Sequence, residues 1–315
     1  MKKILILGGT GFVGRHVCEK LARLQWRVTV PTRRLASARH LLMLPLLDLV
    51  EADVHDEAAL VRLLAGHDAV VNLVAILHGS EAAFARVHVE LPQKLARVCA
   101  AAGVTRLVHV SALGAAADAP SMYQRSKAQG EAALRAAGLA LSVLRPSVIF
   151  GAEDRFLNLF ARLQQLFPVV PLAGATTRFQ PVWVEDVAQA VVACLQDERS
   201  LGQTYEACGP EVLTLKQLVQ LAGRQVGRAR PVIGLPTALG RLQARLMEFA
   251  PGQPLMSRDN LDSMKVDNVA SGTLPGLAAL GITPAAPSTI APTYLGSAGP
   301  RSGLLGLRNK TDRRR

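Results

Sequence analysis

Three side chains of this 315-residue chain have types and positions suited to proton transfer: Ser111, Tyr123 and Lys127. Tyr123 and Lys127 stand at i and i+4, so on a helix they share one face, a turn apart. The stretch Ser121-Met122-Tyr123-Gln124-Arg125-Ser126-Lys127 opens such a helix, which runs through Glu131 to Ala137. A Tyr-x-x-x-Lys pair alone is common on amphipathic helices, where its ordinary use is a solvated pair. Its weight here comes from what precedes it.

Near the start, Lys3-Ile4-Leu5-Ile6-Leu7 reads as a buried parallel strand. It runs into Gly8-Gly9-Thr10-Gly11-Phe12-Val13-Gly14, after which Val13, Val17 and Leu21 mark one face of a helix. Strand, glycine turn and helix in that order form a dinucleotide-binding signature. Gly8 permits the turn, Gly11 lets the backbone approach a pyrophosphate, and Gly14 lets the helix pack on the sheet. Thr10, Phe12 and Val13 complete the candidate contacts, since first-turn N–H groups and the helix dipole favour a phosphate there.

Further candidates follow from the strand ends. The second strand, Arg27-Val28-Thr29-Val30, leads into Pro31-Thr32-Arg33-Arg34, where an NAD-selective site usually places an acidic residue for the ribose 2′-OH. Arg33 and Arg34 instead offer charge-assisted contacts to a 2′-phosphate, so NADP(H) is the expected cofactor and NAD(H) the second choice. The plain alternative is two solvated arginines. Leu47-Asp48-Leu49-Val50-Glu51 reads as the third strand; beyond it Asp53, beside Val54, is placed to accept from an adenine amino group or to form a turn. The fourth strand, Asp68 to Val74, ends under the cofactor, which makes Val74 and Ala75 contacts, with Pro146 and Val148 after the sixth strand. With a dinucleotide in place, the Lys127 ammonium and an oxidised nicotinamide would lower the Tyr123 phenol by ~1–3 units from its usual pKa of about 10. That brings it into range for proton transfer beside hydride transfer.

The elements that must position these residues are legible in outline. Asp56 caps a helix to about Leu64, and an Ala-rich helix covers 81–102, closed by Gly103. Thr105 to Ser111 is the fifth strand and delivers Ser111 to the carboxyl edge of the sheet; Ala140 to Leu144 is the sixth. Beyond residue 151, Arg155 to Phe167 has helical periodicity with Phe156, Leu159, Phe160, Leu163 and Leu166 inward. Val182 to Val184 reads as a short strand, followed by helices at Glu185–Leu195, Leu213–Val226 and Thr237–Phe249. The last places Leu239, Leu242, Leu246 and Phe249 opposite Arg241 and Arg245, a stripe that serves lobe packing or a membrane surface. The Pro- and Gly-rich stretch after Leu274 reads as loop. The whole predicts an α/β fold, a Rossmann-type doubly wound parallel sheet with a smaller C-terminal lobe. Expected divisions are 1–150 for the nucleotide-binding domain, 151–295 for the lobe, with part of 178–196 returning to the sheet, and 296–315 for a basic disordered tail.

Composition narrows the function classes. Half the residues are hydrophobic, yet the longest apolar stretch, Leu41 to Leu47, is interrupted by Pro45 and too short to span a bilayer. Cytoplasmic synthesis is expected, with a location in the cytoplasm or at the periphery of its membrane. Cys18, Cys99, Cys194 and Cys208 show no C-x-x-C pairing, which suggests reduced, buried thiols, and the seven histidines lack ligand spacing, so no metal is expected. Of the net charge of +12, residues 296–315 supply +5. Without interleaved aromatics that tail reads as a solvated end, and nucleic acid is not an expected partner.

The order glycine turn, Ser111, Tyr123-x-x-x-Lys127 and Arg145-Pro146 resembles a short-chain dehydrogenase/reductase of the atypical, extended-like type, as does the G-x-x-G-x-x-G spacing. More narrowly, Ser121 to Glu131, Phe150-Gly151-Ala152-Glu153-Asp154-Arg155-Phe156-Leu157-Asn158 and Gln180 to Val187 resemble the NAD(P)H-binding accessory subunits of respiratory complex I. The likeness runs from residue 3 to about 210 and more faintly to Asp267-Asn268-Val269 and Tyr294-Leu295. The superfamily resemblance implies that Tyr123 is the acid/base, Lys127 binds the nicotinamide ribose and Ser111 positions the substrate oxygen. The narrower resemblance implies a structural cofactor near a quinone-reacting region. Two functions therefore stand open: a cofactor-stabilised protein linked to a respiratory complex or quinone metabolism, and an NADPH-dependent oxidoreductase, epimerase or dehydratase on a quinone or other small molecule.

Overall fold

The apolar run Ile4–Leu7 is wholly buried and forms the axis of a parallel sheet. The computed structural model describes residues 1–248 and 256–296. Along the chain come β1 (Lys3–Leu7), α1 (Phe12–Arg23), β2 (Arg27–Thr32), β3 (Leu47–Glu51), α2 (Glu57–Leu64) and β4 (Ala69–Asn72). Next are α3 (Glu81–Ala85), a π-helical turn at Arg86–Glu90, α4 (Leu91–Ala102), β5 (Arg106–Val110), α5 (Met122–Ala136) and β6 (Ala140–Pro146). β7 (Ile149–Phe150), α6 (Leu157–Leu166), β8 (Val170–Leu172), β9 (Arg178–Phe179), β10 (Val182–Trp183), α7 (Val184–Gln196) and β11 (Thr204–Ala207) follow. The remainder is β12 (Leu213–Thr214), α8 (Leu215–Gln225), β13 (Val232–Gly234), α9 (Thr237–Glu248), α10 (Arg258–Ser263) and α11 (Pro287–Leu295).

These elements form two units. The first comprises Met1–Pro146, Val184–Ala207 and Ala270–Thr283; the second comprises Ser147–Trp183, Cys208–Val269 and the chain from Pro284. The first unit holds a seven-stranded parallel sheet in the order β11-β6-β5-β4-β1-β2-β3. Successive strands are added outward in opposite senses from β1 and β4, which makes the ends of those strands the switch point where ligands bind in such sheets. Leu5, Leu7, Val70 and Leu107 pack against Leu60, Leu64, Leu91 and Leu95 of the helices on one face. On α7, Glu185 accepts from His16 Nδ1 (2.6 Å) and Lys20 Nζ (2.8 Å) of α1. Glu19 lies near enough for the trio His16, Glu19 and Glu185 to resemble a ligand set, but both Glu185 oxygens are engaged and the cluster works as an interhelical clamp.

Several expectations need correction. β2 continues past Val30 through Pro31 to Thr32; Pro31 is tolerated because paired register with β1 stops at Thr29. The helix expected over 81–102 is interrupted by the π turn, and Gly103 does close it in the left-handed region at φ 68°. β11 is an unforeseen seventh strand of the sheet. After Leu274 the chain is not all loop: it forms a 3-10 turn at Leu277–Leu280 and α11, with Pro287 in its first turn and Pro292 inside it.

The second unit is built from two-stranded sheets, β7 with β10, β9 with β12 and β8 with β13, packed on α6, α8 and α11. Leu157, Phe160 and Ala161 of α6 face its core, whereas Leu166, expected inward, is 75% exposed. On α9, whose stripe is open to lobe packing or a membrane surface, Leu239 and Leu242 are exposed while Gly240 and Ala244 are buried. Phe249 and the basic tail beyond Gly296 lie outside the described residues. All four cysteines are buried and outside any disulfide, and no described helix is long and apolar enough to cross a membrane.

Candidate functional site

β1 delivers Gly8 to the switch point with φ +82°, where a Cβ would sit 3.1 Å from the backbone of Leu73 and Val74. Only glycine meets both demands without strain. At Gly14 a Cβ would lie 2.3 Å from the Gly8 carbonyl oxygen and 2.6 Å from Gly9, so the close helix–turn packing is literal. Gly11 donates its N–H to Gly8 (3.0 Å) and is exposed; α1 starts beyond it with no side-chain cap and no acidic residue in its first turn. Phe12 and Val13 therefore present first-turn N–H groups at a helix end that favours an anion, with Thr10 half-buried beside them. The donor set fits a pyrophosphate.

Arg33 and Arg34 are exposed directly after β2. Asp53 is exposed after β3, and its carboxylate already accepts the His55 N–H at 3.0 Å, which makes it a turn former as well as a candidate. His55 is held below the usual imidazole range by burial and then by the charge of Arg86, with Lys94 and Arg33 adding to it and Asp53 opposing. Arg86, on the π turn, thus brings another cation to the corner where Arg33 and Asp53 stand. Val54 and Val74 are half-buried, and Ala75 is exposed just past β4.

The proton-transfer residues converge at the carboxyl end of β5. Ser111 follows the strand, fixed by its N–H to Leu144 (2.7 Å), and its Oγ is buried with no hydrogen-bond partner among the described residues. Lys127 is 2% exposed and donates from Nζ to the Val110 carbonyl (2.9 Å). Burial lowers its ammonium to about 8, against the opposing charge of Glu131. Glu131, itself buried, takes both arms of Arg145 at 2.9 and 2.7 Å. Tyr123 lies on the same helix face, half-buried, and desolvation pushes its phenol up to about 12. The lowering expected from Lys127 is thus reversed in the protein alone: desolvation dominates, and Tyr123 holds its proton at neutral pH.

A histidine that the sequence reading passed over ties this cluster together. His88 Nε2 accepts the N–H of Ile76, just beyond β4, at 3.1 Å. That leaves Nδ1–H to donate to Ser126 Oγ (2.9 Å), which donates to the Tyr123 carbonyl (2.8 Å). The ring stacks on Phe84 and meets the Tyr123 ring edge-on at 5.5 Å. Burial, then the Lys127 charge, lowers His88 to about 3, so it stays neutral. The π turn carries His88 against α5, where a Cβ on Gly130 would lie 2.0 Å from the His88 carbonyl oxygen. Asn72, at the end of β4, accepts the Val74 N–H (3.2 Å) and bonds His109 Nδ1 at 3.2 Å. A lone histidine in an Ala-rich helix has no periodic signature, and nothing in the sequence could have singled it out.

Pro146 ends β6, its carbonyl accepting from Leu113 (2.9 Å). Val148 belongs to the second unit, where its N–H donates to Asn268 Oδ1 (3.3 Å). Ser147 Oγ donates to the same oxygen (2.6 Å). There the string Phe150–Asn158 is organised by buried Asp154, which accepts from the N–H groups of Gly151, Phe156 and Asn158 and from the Tyr294 hydroxyl.

Comparison with known proteins agrees with this geometry. Residues 4–208 match the model of the NAD dependent epimerase/dehydratase family. The chain is 32% identical to NADH dehydrogenase [ubiquinone] 1 alpha subcomplex subunit 9, mitochondrial, of Arabidopsis thaliana, over 84% of this chain and 70% of that protein. It is 34% identical to a ceramide reductase of Caulobacter vibrioides over 60% of each chain. A dTDP-glucose 4,6-dehydratase of Streptomyces venezuelae, solved with NAD bound, superposes with a TM-score of 0.72 at 21% identity, over 93% of this chain and 95% of that one. That last likeness is one of fold. With its glycine turn, Ser111, Tyr123 and Lys127 set on a seven-stranded parallel sheet, the chain belongs to the NAD dependent epimerase/dehydratase family.

Proposed function

We propose that the protein binds a dinucleotide at the β1–α1 turn, prefers NADP(H) to NAD(H), and uses the bound cofactor chiefly to complete its fold, in a setting tied to a respiratory complex or to quinone metabolism. The observation that carries the reading is the uncapped start of α1, framed by Gly8 at φ +82°, by exposed Gly11 and by Gly14, where a Cβ would strike the turn. Gly8 to Gly14 would hold the pyrophosphate, Arg33 and Arg34 with Arg86 the 2′-phosphate, and Asp53 and Val54 the adenine. Val74, Ala75 and Pro146 would line the remainder, and Lys127 would hold the nicotinamide ribose. The complex I relatives support the respiratory setting.

A second reading, an NADPH-dependent reductase, is favoured by a buried Ser111 Oγ without a partner among the described residues and by a Tyr123 phenol that keeps its proton. A bound dinucleotide would supply the hydride. Ser111 would orient a substrate oxygen, such as that of a quinone, and Tyr123 would donate its proton to it; the ceramide reductase likeness supports this.

Calorimetric titration tests the first reading. NADPH should bind well ahead of NADH, and Arg33→Ala/Arg34→Ala should lower NADPH affinity roughly a hundredfold or more, each charge-assisted contact being worth about 1.5–3 kcal/mol. Equal affinities, or no loss in the double variant, would remove the NADP(H) preference. NADPH oxidation across quinones, aldehydes and nucleotide sugars tests the second: saturable turnover that falls roughly 10²–10⁴-fold in Tyr123→Phe would make catalysis the primary role.

A further inference from the structure

The second unit shows its large apolar side chains on adjoining elements. Leu166 and Phe167 lead out of α6 toward β8, and Ile233 stands on β13, paired with β8 opposite Pro171. Leu239 and Leu242, each more than half exposed, project from α9, which follows β13. α9 packs through its smallest residues, Gly240 coming so close to Ala173 that a Cβ would lie 2.7 Å from it. A helix that hides glycine and alanine while showing leucine forgoes the burial that normally seats a helix on its core.

The charge around these residues is mostly positive, although Asp262 of α10 pairs with Arg241 at 3.0 Å and Glu248 ends α9. From Arg155 to Val184, and again from Val212 to Met247, there is no Asp or Glu, while nine Arg and Lys residues occur. Arg162 stands one turn before Leu166, and Arg241 and Arg245 share α9 with the leucines. Arg228 and Arg230 precede β13 in a loop held on α6 by the Arg230 N–H to Gln164 (2.7 Å). Exposed aliphatic and aromatic tips interspersed with arginines, most of them without a carboxylate partner among the described residues, match the headgroup boundary of a negatively charged bilayer.

We propose that this face of the second unit docks on an anionic phospholipid surface, Leu166, Phe167, Leu239 and Leu242 entering the headgroup boundary while the arginines meet lipid phosphates. The proposal is independent of the dinucleotide reading. Co-sedimentation of the full chain with phosphatidylcholine vesicles, with and without phosphatidylglycerol, tests it. Binding should require phosphatidylglycerol and weaken with salt. Leu239→Gln/Leu242→Gln should cut partitioning roughly tenfold or more at unchanged Tm. Arg228→Gln and Arg245→Gln should each cut it roughly fivefold, the worth of about one charge at such a surface. Arg313→Gln/Arg314→Gln/Arg315→Gln should leave most of the binding, which separates this face from the basic tail. No partitioning, partitioning indifferent to the leucine pair, loss confined to the tail variant, or capture by polyglutamate in place of vesicles would each overturn it.

Discussion

Both units bury clusters of polar groups, and they use them oppositely. In the second unit, Asp154 receives three N–H groups and the Tyr294 hydroxyl at 2.8–3.1 Å, which fills the capacity of a carboxylate. Asn158 returns its amide to Gly151 and Ala152, closing the loop on itself. In the first unit, Ser111 Oγ is buried without a partner among the described residues, Lys127 keeps its ammonium at a cost, and α1 begins without a side-chain cap. Buried polar capacity left unused is expensive and persists where something else is to fill it. Around Asp154 saturation marks a joint; around Ser111 and the start of α1 spare capacity marks a site. The family-like string around Asp154 therefore reads as architecture, and the chemistry stays with the glycine turn and α5.

The sharpest break of that contrast is Asp154→Ala. Stranding three N–H groups and a buried phenol should cost about 3–5 kcal/mol in chemical denaturation, with NADPH affinity of the folded protein unchanged. A variant as stable as the parent would erase the distinction between joint and site.

Lys127→Met should act in the reverse sense. Its folded pKa of about 8 lies below the ordinary lysine value, so the unfolded chain binds the proton first and stability falls as pH drops from about 10.5 to 8. Below that window the buried charge is a standing cost, and removing it should stabilise the apo protein by about 1–3 kcal/mol at pH 7 while weakening NADPH binding. Destabilisation with undiminished binding would make Lys127 a joint too.

His88→Gln sharpens the comparison through pH. His88 is lowered to about 3, so between pH 6.5 and 3 the unfolded imidazole takes a proton that the folded one refuses. Its share of the stability is present above 6.5 and lost as pH falls through that window, at up to about 1.4 kcal/mol per pH unit. The variant should show a correspondingly flatter urea-denaturation profile over that range; parallel profiles would mean that His88 does not hold its neutral form.

The smallest effect belongs to Tyr123→Phe, which removes one hydroxyl and keeps the ring against His88. NADPH affinity should fall by about 0.5–1.5 kcal/mol with Tm barely moved. A larger loss of Tm would place the hydroxyl in the fold.

What the sequence discloses and what it hides follow the same division. Ile4–Leu7, Gly8, Gly14 and Gly103 are legible because a buried parallel strand, a positive φ and a close helix approach each leave a compositional mark. β11 is not, since its core positions include Thr204 and Glu206, the latter buried and receiving Ser271 at 2.7 Å. Helical periodicity identifies the apolar residues of α6 and α9 but not which way each helix is seated: Leu166 reads inward and points out, and Leu239 and Leu242, open to either seating, point out. Proline punctuation hid α11, which accommodates Pro287 in its first turn. In the site, spacing joins Tyr123 to Lys127 but carries no measure of desolvation, and the direction of the Tyr123 shift is therefore a property of packing. His88 and Arg86 owe their places to a π turn that no local propensity announces.

The central claim, that the glycine turn holds a dinucleotide, is tested most directly by titrating NADPH into the wild-type protein and into Gly11→Val. Only the Gly8 carbonyl oxygen, at 3.2 Å, would lie within 4 Å of a Cβ at Gly11, so the variant should fold and its side chain should stand where the pyrophosphate must approach. Saturable binding to the wild type, abolished in a Gly11→Val protein with unchanged circular dichroism, is the expected result. No heat of binding in the wild type, or unchanged affinity in the folded variant, would contradict it.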